Sequence, residues 1–424
     1  MASPELAPSP AARTKAAAKT RTIRFGLIGV GGVGSVHRAA IHQFETAGAA
    51  KLIAVADPHA GHLGTEKAAL ESNGVRWHLD YREMLRHEPD LDAVVIATPI
   101  PYHFEMAQAC LERGIYVHME KPPTPMLHQL ESLIAQDPLD KVSVGFQLIG
   151  AQCLQSLKQM IADGALGELV SIRAGCCWPR TDRYYNRAGW AGRMVFENKP
   201  VFDGPATNAM AHVIHNIMYL AGESRHGFGL PIEVKGELYR ARAIESYDTA
   251  FLGGTFPAGI NFSVALTHAT RQELLFKIMV QGTKGWARLS EDGARLESSV
   301  GIACERSQST QELIDLNYAN FLGVLNGDQK RFNSCLKDTR GYVAATNAML
   351  VSSQGIHQID PKHFTTYNHA EDRGLEVFGL REAVEETVRT GKSFGEQGLP
   401  WASATPNIYP ITPELSLAEL GDYE

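Results

Sequence analysis

Residues 23–57 restrict this chain more than any other stretch. Ile23-Arg24-Phe25-Gly26-Leu27-Ile28 is an apolar run of strand length that ends on Gly29-Val30-Gly31-Gly32-Val33-Gly34. A helix-forming stretch follows, and a second apolar run, Lys51-Leu52-Ile53-Ala54-Val55-Ala56, closes on Asp57. Strand, glycine turn, helix and strand make a βαβ unit that opens a parallel sheet. Gly29 permits the tight turn. Gly31, with Gly32 and Val33 behind it, lets the backbone approach a pyrophosphate, and Gly34 lets the helix lie close to the strand. Free N–H groups at the helix start favour that anion. Asp57 stands roughly twenty residues on, where a carboxylate takes both hydroxyls of an adenosine ribose. It would repel a 2′-phosphate, and no Arg follows in Pro58-His59, so the expected cofactor is NAD in preference to NADP.

A chain of 424 residues exceeds one compact core, so two domains are expected. Its net charge of −7 offers no clustered basic face for nucleic acid or an anionic membrane. No apolar run is long enough to span a bilayer. Residues 1–20, rich in Ala, Pro, Ser and Lys without an apolar centre, read as a disordered tail and not a secretory signal. The six cysteines show no CxxC spacing. They read as reduced thiols in or near a core, with no metal site, which suggests a cytoplasmic setting.

Strands and helices alternate up to about residue 150. Helical patterns cover Gly64 to Asn73, Tyr81 to His87 and His103 to Gly114; strand patterns cover Asp92 to Ala97, Ile115 to Met119 and Lys141 to Phe146. The reading is a doubly wound α/β domain of the Rossmann type over 21–150, whose ligands gather at the carboxyl ends of its strands. Asp57, Thr98-Pro99, Glu120-Lys121 and Gln147 all fall at such ends.

From 151 to 424 strands follow strands: Leu169 to Trp178, Ile232 to Ala243, Thr249 to Phe256, Gly259 to Thr267 and Phe276 to Leu289. Helices are expected at Ala151 to Ala162, Ala206 to Ala221, Gln311 to Leu325, Gly341 to Ser353 and Leu375 to Arg389. This predicts an α+β domain with a large, mostly antiparallel open sheet. With one face under helices, the other is expected to form a homodimer or homotetramer. Gly395 to Pro410 reads as a surface strap.

Within this half, Asp203 to Asn216 places Asn208, His212, His215 and Asn216 on one helical face, a polar stripe along an apolar helix. The segment Trp178 to Gly192 is dense in aromatic and guanidinium groups suited to sugar faces and hydroxyls. Arg183, Tyr184, Tyr185 and Trp190 are its candidate substrate contacts.

With these residues in place the chain resembles the Gfo/Idh/MocA family of sugar and inositol oxidoreductases from residue 22 onward. The resemblance rests on the glycine turn with Asp57, Ala97-Thr98-Pro99 with His103, Glu120-Lys121-Pro122, Val144-Gly145-Phe146-Gln147, Gly164 to Glu168, the His212 helix, Gly282-Thr283-Lys284-Gly285 and Gly398 to Trp401. It implies that Thr98, Pro99, His103, Glu120, Lys121 and Gln147 bound the cofactor and that Lys121 and His212 are catalytic. Removing a hydride from a carbinol carbon requires a base for the hydroxyl proton and a cation for the developing alkoxide. Lys121 serves as the cation and His212 as the base, with Lys121 itself a proton shuttle if burial lowers its pKa. Asn208 orients the imidazole, and His215 adds a substrate contact. Family members typically carry Asp where this chain has Asn208 and His215, and often Arg where it has Ile149. The expectation is an NAD-dependent dehydrogenase of a sugar, polyol or glycoside. The alternative is a redox-neutral enzyme that holds NAD permanently and eliminates, epimerises or cleaves, drawing its extra base from Tyr184, Tyr185, Asp182 or His215. A third reading is a nonenzymatic NAD-binding regulator.

Overall fold

A computed structural model describes residues 21–412. The tail expected at 1–20 lies outside them. The first sheet contains six strands, β1 (Ile23–Ile28), β2 (Ala50–Ala56), β3 (Arg76–His78), β4 (Ala93–Ile96), β5 (Tyr116–Met119) and β6 (Val142–Val144). Their order is β3-β2-β1-β4-β5-β6 and every pairing is parallel. β4 is buried at all four positions, as a strand covered on both faces must be. The crossover helices are α1 (Gly34–Thr46), α2 (Gly64–Ser72), α3 (Tyr81–His87), α4 (His103–Leu111) and α5 (Leu127–Gln136). Asp80 starts α3 by accepting the Arg82 N–H at 2.6 Å, a side-chain cap of the kind helix starts require.

The second half begins with α6 (Gln152–Ala162), β7 (Leu169–Cys177), the short α7 (Asp182–Tyr185), the hairpin β8 (Val195–Phe196) and β9 (Lys199–Pro200), and α8 (Ala211–Ala221). Strands β10 (Glu233–Arg240), β11 (Thr249–Thr255), β12 (Asn261–Thr267), β13 (Leu274–Gly282), β14 (Trp286–Ser290), β15 (Arg295–Ser298) and β16 (Gly301–Glu305) follow. After them come α9 (Thr310–Leu325), α10 (Arg340–Ser352), β17 (His357–Gln358), β18 (Phe364–His369), β19 (Asp372–Val377), α11 (Leu380–Thr390) and β20 (Tyr409–Pro410). The large sheet runs β16-β15-β14-β13-β7-β12-β11-β10-β17, with β20 also on β10. Only β7–β12 and β10–β17 pair in parallel.

Three sequence-level assignments change. The single strand expected from Phe276 to Leu289 is two strands joined by a turn. In that turn the Thr283 and Lys284 N–H groups donate to Glu168 and Leu166 carbonyls, each at 2.9 Å, so the two glycine turns of the resemblance hold one another. The helix expected from Leu375 starts only at Leu380, because Gly379, at φ 71°, ends β19 and turns the chain. α11 then packs on part of the sheet face that was expected to dimerise, against β7, β12 and β13. Ile172 and Ala174 of β7 face the core with α8, whereas Cys177, on the other face, packs with Leu380 and Val384 of α11 and with Phe394 and Trp401 of the strap.

The cysteine reading is also corrected. Cys153 on α6 and Cys304 on β16 are joined as a disulfide, while Cys110, Cys176, Cys177 and Cys335 are buried thiols. The two partners are 151 residues apart, and only the return of β16 beside α6 brings them together. The suggestion of a cytoplasmic setting rested on free thiols and loses that support. Among the described residues no helix is long and apolar enough to cross a membrane.

Candidate active site

A cavity of about 1660 Å³ opens where the carboxyl ends of the first sheet meet the second half of the chain. Its first part is the glycine turn. A Cβ on Gly29 would stand 2.6 Å from the Ala97 carbonyl oxygen, and φ there is 87°; a Cβ on Gly34 would collide with the Gly29 carbonyl. Glycine at both positions thus lets β1, β4 and α1 close up. Gly31, Gly32 and Val33 line the cavity, and no atom stands within 4 Å of a Cβ built on Gly32. Asp57 is buried at the end of β2; its two carboxylate oxygens accept the Val30 N–H at 2.8 Å and the His59 N–H at 2.9 Å. An open backbone turn next to a fixed carboxylate suits a dinucleotide.

Thr98, Pro99, Glu120, Lys121 and Gln147 line the same cavity. His103 does not. It is buried, with Nδ1 2.8 Å from the Pro122 carbonyl oxygen and Nε2 2.8 Å from that of Thr98. It therefore ties together the two loops that carry cavity residues, without touching the cavity itself. Burial raises the Glu120 carboxyl, but the hydrogen bond from His37 and the neighbouring His37 and Lys121 charges outweigh it and bring it to about 2. His37 Nε2 lies 3.1 Å from Glu120 Oε1, and its Nδ1 is 2.8 Å from the Tyr318 hydroxyl. Tyr318 comes from α9, which packs back onto β1 and α1. No sequence signal links residues 37, 120 and 318.

Lys121 Nζ donates to both Asn208 Oδ1 and the Asn208 carbonyl oxygen, each at 3.1 Å. Burial lowers the lysine pKa, opposed by Glu120 and Asp203 and assisted by Arg187. Asn208 in turn donates to Asp203 Oδ1 at 2.7 Å. Asp203 is almost fully buried and also accepts the Gly192 N–H at 2.7 Å and Arg187 at 3.4 Å. Asn208 therefore orients the lysine and not the imidazole. The reason is local: it sits in a separate π-helical turn, Pro205–Ala209, and α8 begins only after Met210.

His212 lines the cavity, with Nδ1 buried and unpartnered. Burial, then the charge of Lys121, pushes its pKa down to about 3, so the ring is neutral at pH 7. His215 leaves the predicted stripe. Three residues along an α-helix leave it only about 60° round from His212, and both rings touch Phe146, but His215 lies outside the cavity. It stacks on Phe146 at 3.8 Å and Phe228 at 4.9 Å between ring centroids, and its Nε2 meets Ser334 Oγ at 3.1 Å. It belongs to the core.

Of the four loop residues chosen for substrate, Tyr184 and Trp190 line the cavity; Arg183 and Tyr185 do not. Arg183 is exposed, and the Tyr185 hydroxyl is buried without a partner. In a one-turn helix such as α7, neighbouring side chains diverge, so composition alone could not separate Tyr184 from Tyr185. The guanidinium groups that do line the cavity are Arg180, Arg187 and Arg306, which the sequence reading passed over. Among the described residues no group of three or more His, Cys, Asp or Glu is arranged to hold a metal ion.

Residues 23–146 match the model of the oxidoreductase family with an NAD-binding Rossmann fold, and residues 154–288 match the GFO/IDH/MocA C-terminal domain. The chain belongs to the Gfo/Idh/MocA family. The inositol 2-dehydrogenase 4 of Saccharopolyspora erythraea is 36% identical over 151 residues, 35% of this chain and 43% of that protein. The D-glucoside 3-dehydrogenase of Escherichia coli is 28% identical over 213 residues, 49% of this chain and 56% of that protein. The chain thus aligns with only about half the length of these relatives. The WlbA dehydrogenase of Bordetella pertussis, solved with NADH and UDP-GlcNAcA, shares the fold at a TM-score of 0.67 and 24% identity, covering 79% of this chain and 96% of that one. As a member of this family the chain is NAD-binding, and the glycine turn with Asp57 fits that cofactor.

Proposed function

We propose that this protein is an NAD-dependent dehydrogenase acting on a CH–OH carbon of a sugar, polyol or glycoside. The observation that carries the reading is the meeting of Lys121, from the end of β5, with Asn208, from the π-helical turn, and His212, from the start of α8, in one cavity that also holds the glycine turn. When bound, NAD supplies the hydride acceptor. The chain's own residues must then take the hydroxyl proton and steady the oxygen it leaves. A histidine near pKa 3 is a weak base, whereas Lys121 Nζ is held in the cavity by Asn208 and burial makes it readier to give up and retake a proton. Lys121 is therefore the proton acceptor, and the ammonium it becomes stands by the new carbonyl oxygen. His212, neutral, hydrogen-bonds the reacting hydroxyl. Asn208 is a positioning residue that aims Nζ without adding a charge that would hold the proton on it.

The redox-neutral alternative needs a further base. Of its four candidates, His215 is in the core, Asp182 is engaged by Arg242 and Arg373, and Tyr185 is outside the cavity. Tyr184 remains, and burial pushes its phenol up to about 12. The preferred reading is net oxidation. Incubation with NAD and a panel of hexoses, hexuronates, inositols and glycosides should build up absorbance at 340 nm in proportion to oxidised product. Product formed without NADH points to the redox-neutral cycle. No redox exchange with any carbohydrate removes the enzyme reading and leaves the regulator.

Asn208→Asp tests the positioning role. A carboxylate 3.1 Å from Nζ raises the lysine pKa. For oxidation the base must be deprotonated, so the rising limb of kcat/KM should move up by about one pH unit or more. An unmoved limb would remove Lys121 as the titrating group.

A further inference from the structure

The cavity wall formed by residues 178–190 is a ladder of alternating rings and cations. The Arg180 guanidinium lies 3.7 Å from the Trp178 ring centroid and 4.7 Å from that of Tyr184. The Arg187 guanidinium lies 3.7 Å from Tyr184 and 4.5 Å from Trp190. All five side chains line the cavity that contains Lys121 and His212. Rings stacked on a guanidinium occupy its faces and leave its N–H donors at the edge.

The two arginines differ in what those edges meet. Arg187 donates to the Tyr184 carbonyl at 2.7 Å and reaches Asp203 at 3.4 Å. Arg180 has no carboxylate within 4 Å among the described residues, and its Nε is buried without an acceptor. The acids on neighbouring positions of the loop and cavity wall are committed elsewhere. Asp182 is held by Arg242 and Arg373, and Asp203 by Arg187, Asn208 and the Gly192 N–H. Glu273, Glu291 and Asp292 also line the cavity, but none pairs with Arg180. A half-buried cation beside a second cation, without a counter-charge, is unfavourable unless a ligand brings one. A sugar hydroxyl could accept a hydrogen bond from it yet would leave the charge unbalanced, whereas a carboxylate or phosphate matches the fork with two charge-assisted bonds.

From this geometry we infer that the substrate carries an anionic group, a carboxylate or a phosphate, received by Arg180 with Arg187 beside it. The inference rests on the carbohydrate dehydrogenase reading and narrows its substrate class. It is tested by calorimetric titration of the NADH-loaded protein with hexoses of gluco, galacto and manno configuration, the matching hexuronates, and the hexose 6-phosphates. At least one acid should bind tenfold or more tightly than its neutral partner, and whether it is a uronate or a phosphate identifies the anion. Arg180→Met should cancel that preference, and Arg180→Lys, which keeps the charge but not the fork, should keep part of it. The inference is overturned if no configuration shows a preference, if Arg180→Met weakens acid and neutral sugar alike, or if it weakens NADH instead. Turnover is read separately at 340 nm: an acid that binds through Arg180 and is never oxidised sinks the dehydrogenase reading while leaving the anion site in place.

Discussion

Lys121→Met should reduce sugar oxidation by three orders of magnitude or more while NADH still binds. The substitution removes the group that takes the proton and, in the same step, the charge that steadies the new carbonyl oxygen. Proton transfer by a positioned side chain contributes about 10²–10⁴-fold, and loss of one electrostatic contact to a reacting oxygen costs about 10²–10³-fold. The two losses fall on one residue and do not simply multiply, so the lower end lies between about 10² for one alone and about 10⁴ for both in full, near 10³. Folding should survive. Met fills much the same volume, and the buried ammonium it replaces is itself disfavoured by burial. The Asn208 to Asp203 hydrogen bond does not involve Lys121. Steady-state absorbance gives turnover, and quenching of protein fluorescence by NADH gives cofactor affinity. His212→Asn should cost less, because a ring that stays neutral at pH 7 contributes a hydrogen bond and not a charge. Activity near wild type in Lys121→Met would mean that another group performs the chemistry.

The parts of this molecule that sequence discloses are those in which local chain geometry and chemistry coincide. The turn at Gly29 to Gly34 is legible because each glycine answers a contact inside the same βαβ unit. The helix Tyr81–His87 is legible because Asp80 caps it from the adjoining position. Lys121 is legible because a polar residue at the carboxyl end of a parallel strand has one crevice to enter. What sequence hides depends on segments that meet only after folding. Asn208 and His212 look like one face of a helix, but the π-helical turn at Pro205–Ala209 rotates Asn208 onto Lys121. His215 looks like a ligand until Phe146 and Phe228 are found on either side of its ring. The His37, Glu120 and Tyr318 chain joins three distant segments, and the Cys153–Cys304 pair spans 151 residues; neither has a periodicity to betray it. Where α11 lies on the large sheet is hidden in the same way, because its contacts with β7, β12 and β13 join segments far apart in the chain.

Stability should fall steeply with acidification below about pH 6.5, the range in which unfolded histidine titrates. Burial lowers the pKa of four histidines: His118, His212 and His268 to about 3, and His215 well below its ordinary value. In the unfolded chain each takes a proton near pH 6.5, and in the folded chain it does not. Their contribution to stability is therefore complete above that pH and is lost progressively as the pH falls toward 3. Each group costs up to about 1.4 kcal/mol per pH unit, so the three lowered to about 3 together approach about 4 kcal/mol per unit. Against a typical total of about 5–15 kcal/mol, that loss is a large fraction within two pH units. Asp137, Asp248 and Asp292 work the other way, since burial raises their carboxyls and the folded form binds protons first. Their window lies near the carboxylate range, after most of the histidine loss. Lys158, lowered to about 8 by burial, is charged in both states below pH 7 and adds no slope. Thermal melts followed by circular dichroism at pH 7, 6 and 5 should show Tm dropping at an increasing rate. His215→Phe, which keeps a ring between Phe146 and Phe228, should make unfolding free energy fall less steeply between pH 6 and pH 4. A Tm that is flat from pH 7 to pH 5 would mean that these rings are already protonated in the folded protein, and His212 could then not be the neutral partner of a sugar hydroxyl.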